Sequence, residues 1–138
     1  MNLFHKCCAL LLLGGVSCPG LAHAKLFMVA KIEGEVSTRS DAGEEASIGR
    51  ARWFPQDLRV FTRAKSGVEA LSPGLFFRFG ENTTFAFGSD DLQLHKGAAL
   101  IRLLGPGKEI VVRGPEADLR ILGSGSLFLE GQRGFQML

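Results

Sequence analysis

The chain has 138 residues, of which 46% are hydrophobic and 22% are charged, and its 16 lysines and arginines face 14 aspartates and glutamates. Charges of both signs are interspersed without the basic clusters of a nucleic-acid-binding domain, so the composition excludes a nucleic-acid partner. The length allows one ordinary domain with its own core and excludes a second one.

The first 24 residues have the pattern of a secretory signal peptide. Lys6 supplies a positive charge, residues 7–16 are apolar, and Ala22-His23-Ala24 is the small-x-small motif that signal peptidase cleaves. We therefore expect cleavage after Ala24 and a mature chain of residues 25–138. The apolar stretch is about ten residues long, whereas a bilayer span needs about 20, which disfavours a membrane anchor.

Export predicts a periplasmic or extracellular location for the mature chain. All three cysteines lie within the first eighteen residues, so the mature chain carries no thiol and no disulfide. Its fold must therefore depend on apolar burial and backbone pairing, and its ten phenylalanines are the main source of that burial. Lipidation of Cys18 stays open as an alternative to simple cleavage.

Apolar residues of the mature chain recur at every second position, and glycine or proline interrupts them after each short run. This alternation is typical of β-strands separated by tight turns. We predict one all-β domain of short strands, coiled like a solenoid or packed like a sandwich. The predicted strands are, in chain order, 27–38, 58–62, 68–72, 75–79, 83–87, 91–95, 98–103, 109–112, 119–122 and 127–130.

Two segments depart from this pattern. Residues 43–50 are polar and predict a loop. No stretch shows a clear apolar period of three to four residues, so little helix is expected, and residues 52–57 are the most favourable place for a short one.

The alternation also predicts which side chains are buried. In the strand 75–79, Leu75, Phe77 and Phe79 point to one side and Phe76 and Arg78 to the other, because successive strand side chains alternate. We expect the first set to face the core. Thr83, Phe85 and Phe87 show the same alternation and are expected to face the core as well.

Three segments carry a family resemblance. Residues 62–85 read TRAKSGVEALSPGLFFRFGENTTF, residues 92–101 read LQLHKGAALI, and Gly123-Ser124-Gly125 precedes the last predicted strand. Together these segments resemble FecR-like domains, which combine a small-residue strand, a glycine-bounded "apolar-R-apolar" strand and an "L-x-L-x-x-G" strand. The resemblance covers residues 32–129.

The resemblance implies a β-rich extracytoplasmic module. Founding members of that family sense an outer-membrane receptor and pass a signal to a cytoplasmic sigma factor. Here a cleavable signal stands in place of a cytoplasmic segment and a membrane helix. We therefore expect no contact with a sigma factor, and no membrane span in the mature chain.

Residues with catalytic or metal-binding chemistry are sparse. His95 is the only histidine of the mature chain, and without cysteine it cannot complete a zinc or iron site. Asp90-Asp91 and Glu81-Asn82 lack the spacing of a calcium loop, which favours ordinary turn acids. We predict no cofactor, no metal and no enzymatic activity.

Trp53 and Phe54 are the candidate ligand-contact residues. Lying just before Pro55, they could form an exposed aromatic patch for a sugar or protein ligand, because aromatic rings offer large contact area at low entropic cost. The competing interpretation, which we favour, is that both rings cap one end of the core.

The sequence therefore predicts a non-enzymatic exported module that acts as a binding or assembly element in the bacterial cell envelope. Its partner would be an envelope protein or a glycan, met by a strand face or an open sheet edge. Two alternatives stay open. One is a small hydrolase using His95 as base beside Ser89 and Asp91, and the other is a truncated fragment without independent function.

Overall fold

The computed structural model describes residues 25–49, 51–131 and 135–137, and these residues form twelve β-strands and no helix. The all-β prediction is thus confirmed. The strands are β1 (Met28–Glu33), β2 (Val36–Arg39), β3 (Glu45–Ser47), β4 (Arg59–Thr62), β5 (Gly67–Ser72), β6 (Leu75–Phe79), β7 (Thr84–Phe87), β8 (Asp91–Leu103), β9 (Glu109–Arg113), β10 (Asp118–Leu122), β11 (Gly125–Gly131) and β12 (Phe135–Met137).

The strands form one continuous sheet that curls into a half-barrel. Strand β8 belongs to both halves. Its C-terminal part lies in sheet I, with the order β1-β5-β6-β8-β11-β12, and its N-terminal part lies in sheet II, with the order β3-β2-β4-β7-β8-β9-β10. All pairs are antiparallel except β8 with β9.

The bend of β8 at Gly97 joins the two sheets. Gly97 has φ +97°, a conformation that strongly favours glycine. Pairing with β7 ends at Lys96, and pairing with β11 begins at Gly97. The two predicted strands 91–95 and 98–103 are therefore one strand with a glycine bend, and the predicted turn between them was wrong.

The core is built from stacked phenylalanine rings supplied by both sheets. Phe79 of sheet I stacks on Phe85 of sheet II with ring centroids 3.6 Å apart, and Phe77 meets Phe87 edge-on at 5.2 Å. Phe27, just before β1, stacks on Phe87 at 3.9 Å. Burying each ring contributes roughly 1.5–3 kcal/mol, so this stack is the main stabilising element. The predicted burial of Leu75, Phe77, Phe79, Phe85 and Phe87 is confirmed.

Other predicted boundaries need correction. The segment 27–38 is two strands in different sheets, because Gly34 turns the chain with φ +72°. The predicted loop 43–50 contains β3, and the segment 52–57 is extended rather than helical, with bridges from Trp53 to Met28 and from Gln56 to Phe87.

The predicted signal peptide, residues 1–24, lies outside the described residues. Within residues 25–49, 51–131 and 135–137, nothing helical has the length and hydropathy needed to cross a bilayer.

Candidate binding surface

Trp53 and Phe54 lie on a short extended segment that pairs with the start of β1. The Val29 amide donates to the Arg52 carbonyl at 2.9 Å, and the Phe54 amide donates to the Phe27 carbonyl at 2.9 Å. Because successive side chains of an extended chain point to opposite sides, this pairing sends the two aromatic rings in opposite directions.

Phe54 points into the core. Its side chain is only 7% exposed, and its ring lies edge-on against Phe85 at 5.8 Å and Phe87 at 5.2 Å. Phe54 is therefore not part of an exposed aromatic patch, and its burial agrees with the interpretation that this ring caps the core.

Trp53 points outward and remains 48% exposed. It lies in a shallow depression of about 330 Å³ whose other lining residues are Leu26, Met28, Leu71, Ser72 and Pro73. We call these six residues the Trp53 surface. The interpretation that both aromatic residues cap the core is thus wrong for Trp53.

The Trp53 surface is almost entirely apolar. Leu26 is 62% exposed beside the tryptophan, and Ser72 contributes the single polar side chain of the lining. Ser72 is only 8% exposed, and its Oγ has no hydrogen-bond partner among the described residues. Exposed large apolar side chains gathered at one place mark interaction sites more often than solvated surface.

The edge of β1 beside this surface is poorly suited to strand addition. Beyond Val29, Ala30 forms a bulge without a register partner in β5. Lys31 and Glu33 then form an exposed ion pair with a 2.7 Å N–O distance. Bulges and charged side chains discourage pairing with an incoming strand. The side chains of the Trp53 surface are therefore the better contact site.

Sequence reasoning missed the partners of Trp53 on this surface. Met28 and Leu71 are register partners in β1 and β5, so their proximity depends on strand pairing that the sequence does not show. Pro73 stands between the predicted strands 68–72 and 75–79, where the sequence indicates only a turn. Leu26 could have indicated the surface from the sequence alone. It is apolar and lies next to Phe27, so in an extended chain its side chain points to the side opposite the Phe27 ring.

The residues proposed for a hydrolytic triad are not assembled. The Asp91 carboxylate accepts from Arg113 Nε at 2.8 Å. His95 lies four positions further along β8, which places the two backbones about 13 Å apart. His95 Nε2 is buried and has no hydrogen-bond partner in the described part of the chain. Burial, and then the charge of Arg59, lower the pKa of His95.

The candidate metal ligands Glu81 and Asp91 form hydrogen bonds within the protein. Glu81 Oε2 accepts from the Lys65 amide at 2.6 Å, and Asp91 is bonded to Arg113 as described. Asn82 adopts φ +51°, the left-handed turn conformation that asparagine tolerates. No group of three or more potential metal ligands occurs within the residues that the structure describes.

Comparisons with protein-family models, with curated proteins and with solved structures found no match to this chain.

Proposed function

We propose that this chain is a non-enzymatic, exported module of the FecR-like type that binds another protein of the bacterial cell envelope. The observation that carries the proposal is the half-exposed Trp53 in an apolar depression beside the still more exposed Leu26. Tryptophan is the residue most enriched among the energetically dominant contacts of protein interfaces.

The lining of the Trp53 surface favours a protein partner over a glycan. Sugar recognition requires several polar groups to hydrogen-bond the hydroxyls around an aromatic ring. Only Ser72 supplies such a group, and its hydroxyl is buried. An apolar side chain of a protein partner fits the depression without leaving unpaired polar groups.

Export and family type are supported by the sequence alone. Residues 1–24 have the three-part pattern of a signal peptide, and residues 32–129 resemble the FecR-like pattern. A curled all-β domain with a phenylalanine core is compatible with a module that works outside the cytoplasm without disulfides.

Site-specific photo-crosslinking in the producing bacterium tests this proposal. The photoreactive amino acid p-benzoylphenylalanine replaces Trp53 in one strain and Ala64 in a control strain, since Ala64 is exposed in the turn before β5, at the opposite end of that strand from Leu71. We expect one defined envelope protein to be crosslinked through position 53 and not through position 64.

Three results would contradict the proposal. They are the absence of any adduct specific to position 53, the same adducts from both positions, and an adduct with a second copy of this chain. The last result would assign the Trp53 surface to self-association instead.

A further inference from the structure

A second surface lies on the outer face of sheet II, away from the core. In β4 the side chains of Val60 and Thr62 are buried, so Phe61 between them points outward. The strand register places Phe61 in a row of outward residues that crosses five strands, namely Ser47, Ser37, Phe61, Thr84 and Lys96. Arg39 and Arg59 are register partners next to this row.

Two guanidinium groups are held against the ring of Phe61. The Cζ atoms of Arg39 and Arg63 lie 5.0 and 5.1 Å from the ring centroid. Both arginines contact the same carboxylate, with Arg39 Nη2 donating to Glu45 Oε1 at 2.5 Å and Arg63 Nη2 donating to Glu45 Oε2 at 3.4 Å. One negative charge therefore orients two positive groups and neutralises only one of them.

Two further cations complete the cleft without acidic partners. Arg59 and Lys96 have no carboxylate within ion-pair distance among the residues that the structure describes. The cleft has a volume of about 340 Å³, and its lining consists of Arg39, Arg59, Phe61, Thr62, Arg63, Asn82, Thr84 and Lys96. Four cations and no carboxylate thus line one recess.

We propose that this cleft binds an acidic glycan through its carboxylate or phosphate groups. Guanidinium groups bind such anions with two parallel hydrogen bonds. The Phe61 ring already restricts the motion of the Arg39 and Arg63 guanidinium groups before an anion binds. The side chains of Asn82 and Thr84 supply the neutral donors and acceptors that sugar hydroxyls require. The Trp53 surface has no charged group and only the buried Ser72 hydroxyl as a neutral one, so the cationic cleft and its ligand go beyond the proposed function.

The size of the cationic cluster favours a glycan over a nucleic acid. Its charges span three strand spacings, from β2 to β8, or about 14 Å. Nucleic-acid binding requires a longer basic stripe and a basic domain, whereas the charges of this chain nearly balance.

Isothermal titration calorimetry with the exported protein tests the proposal. The probe is an oligogalacturonate, which carries one carboxylate per sugar, and the neutral control is a maltooligosaccharide of equal length. We expect saturable binding of the acidic oligosaccharide that weakens as salt concentration rises, and no binding of the neutral one.

Variants locate the site. Arg59→Gln and Lys96→Gln should each raise the dissociation constant about three- to tenfold, because each removes one exposed charge contact. Arg102→Gln is the matched control, since Arg102 is an exposed cation on β8 beyond the Gly97 bend. It should leave binding unchanged, and circular dichroism should show the same β-sheet spectrum for all variants.

Four outcomes would overturn the proposal. The first is no binding of oligogalacturonate at low salt, and the second is equal binding of the neutral oligosaccharide. The third is equal weakening by Arg102→Gln, which would indicate general surface charge. The fourth is tighter binding of a single-stranded oligonucleotide in competition, which would assign the cleft to nucleic acid.

Discussion

Gly97 and Thr83 approach each other so closely that a Cβ atom on Gly97 would lie 2.5 Å from the Thr83 Cα. The neighbouring Ala98 amide donates to Thr83 Oγ1 at 3.1 Å, and that hydroxyl also donates to the Glu81 carbonyl at 3.1 Å. A buried hydroxyl therefore replaces part of the strand ladder at the point where β8 bends. This contact couples sheet I to sheet II.

Gly97→Ala should destabilise the fold strongly. The new methyl group would clash with backbone atoms, and alanine is strained at φ +97°, so we expect a loss of about 3 kcal/mol or more in the free energy of unfolding. Gly43→Ala is the control, because Gly43 has φ +84° but no atom within 4 Å of an added Cβ. It should cost about 1–2 kcal/mol. Denaturation in urea measures the free energy of unfolding of both variants. Equal losses in the two variants would contradict the close contact between Gly97 and Thr83.

Thr83→Val should also destabilise the fold, through the loss of a hydrogen bond rather than through a steric clash. Valine has a similar shape but leaves the part-buried Ala98 amide without the hydroxyl acceptor, which costs about 0.5–1.5 kcal/mol. Thr84→Val, one residue further on the half-exposed outer face, should change stability by less than about 0.5 kcal/mol. If both variants unfold at the same urea concentration, the Thr83 hydroxyl does not stabilise the bend.

Phe54→Ala and Trp53→Ala should separate core packing from surface contact. Removing the Phe54 ring creates a cavity beside Phe85 and Phe87, and we expect a loss of about 3–5 kcal/mol. Trp53→Ala removes a half-exposed ring and should cost much less. Thermal unfolding followed by circular dichroism measures the difference, and the reverse order would contradict the assignment of these two residues.

Acidification should destabilise the protein through His95. Burial, and then Arg59, lower the pKa of His95, so the folded protein holds fewer protons at this site than the unfolded chain. The stabilising contribution is complete above the ordinary histidine pKa of 6.5 and is lost as the pH falls through the lower pKa of the folded protein. His95→Gln should flatten the pH dependence of the free energy of unfolding in this window.

Nuclear magnetic resonance checks the same prediction directly. His95 is the single histidine of residues 25–138, so a protein of residues 25–138 has one set of imidazole signals. These signals should titrate below the ordinary value in the folded protein. Titration at or above 6.5 would show that burial and Arg59 do not control His95.

Alternation predicted the parts of the fold in which one strand face is buried. In β6, Leu75, Phe77 and Phe79 are buried, while Arg78 is exposed, as the period of two requires. Strand β3 was missed because all three of its residues are exposed, so no burial pattern marks it.

The bend of β8 was missed for another reason. Lys96-Gly97 resembles a turn, and the contact with Thr83 that keeps the strand continuous joins residues distant in sequence. Both proposed binding surfaces also consist of residues that are distant in sequence. Arg39, Phe61 and Lys96 come from three strands, and only the strand register brings them to one cleft.

Fluorescence of Trp53 tests the central claim most directly, because the chain has one tryptophan and no tyrosine. The half-exposed indole should emit at long wavelength in the free protein and be quenched readily by acrylamide. If a protein is crosslinked through position 53, saturation with that protein should shift the emission to shorter wavelength and protect it from quenching. Emission and quenching that stay unchanged in the saturated complex would show that the partner does not cover Trp53, and would contradict the proposed binding surface.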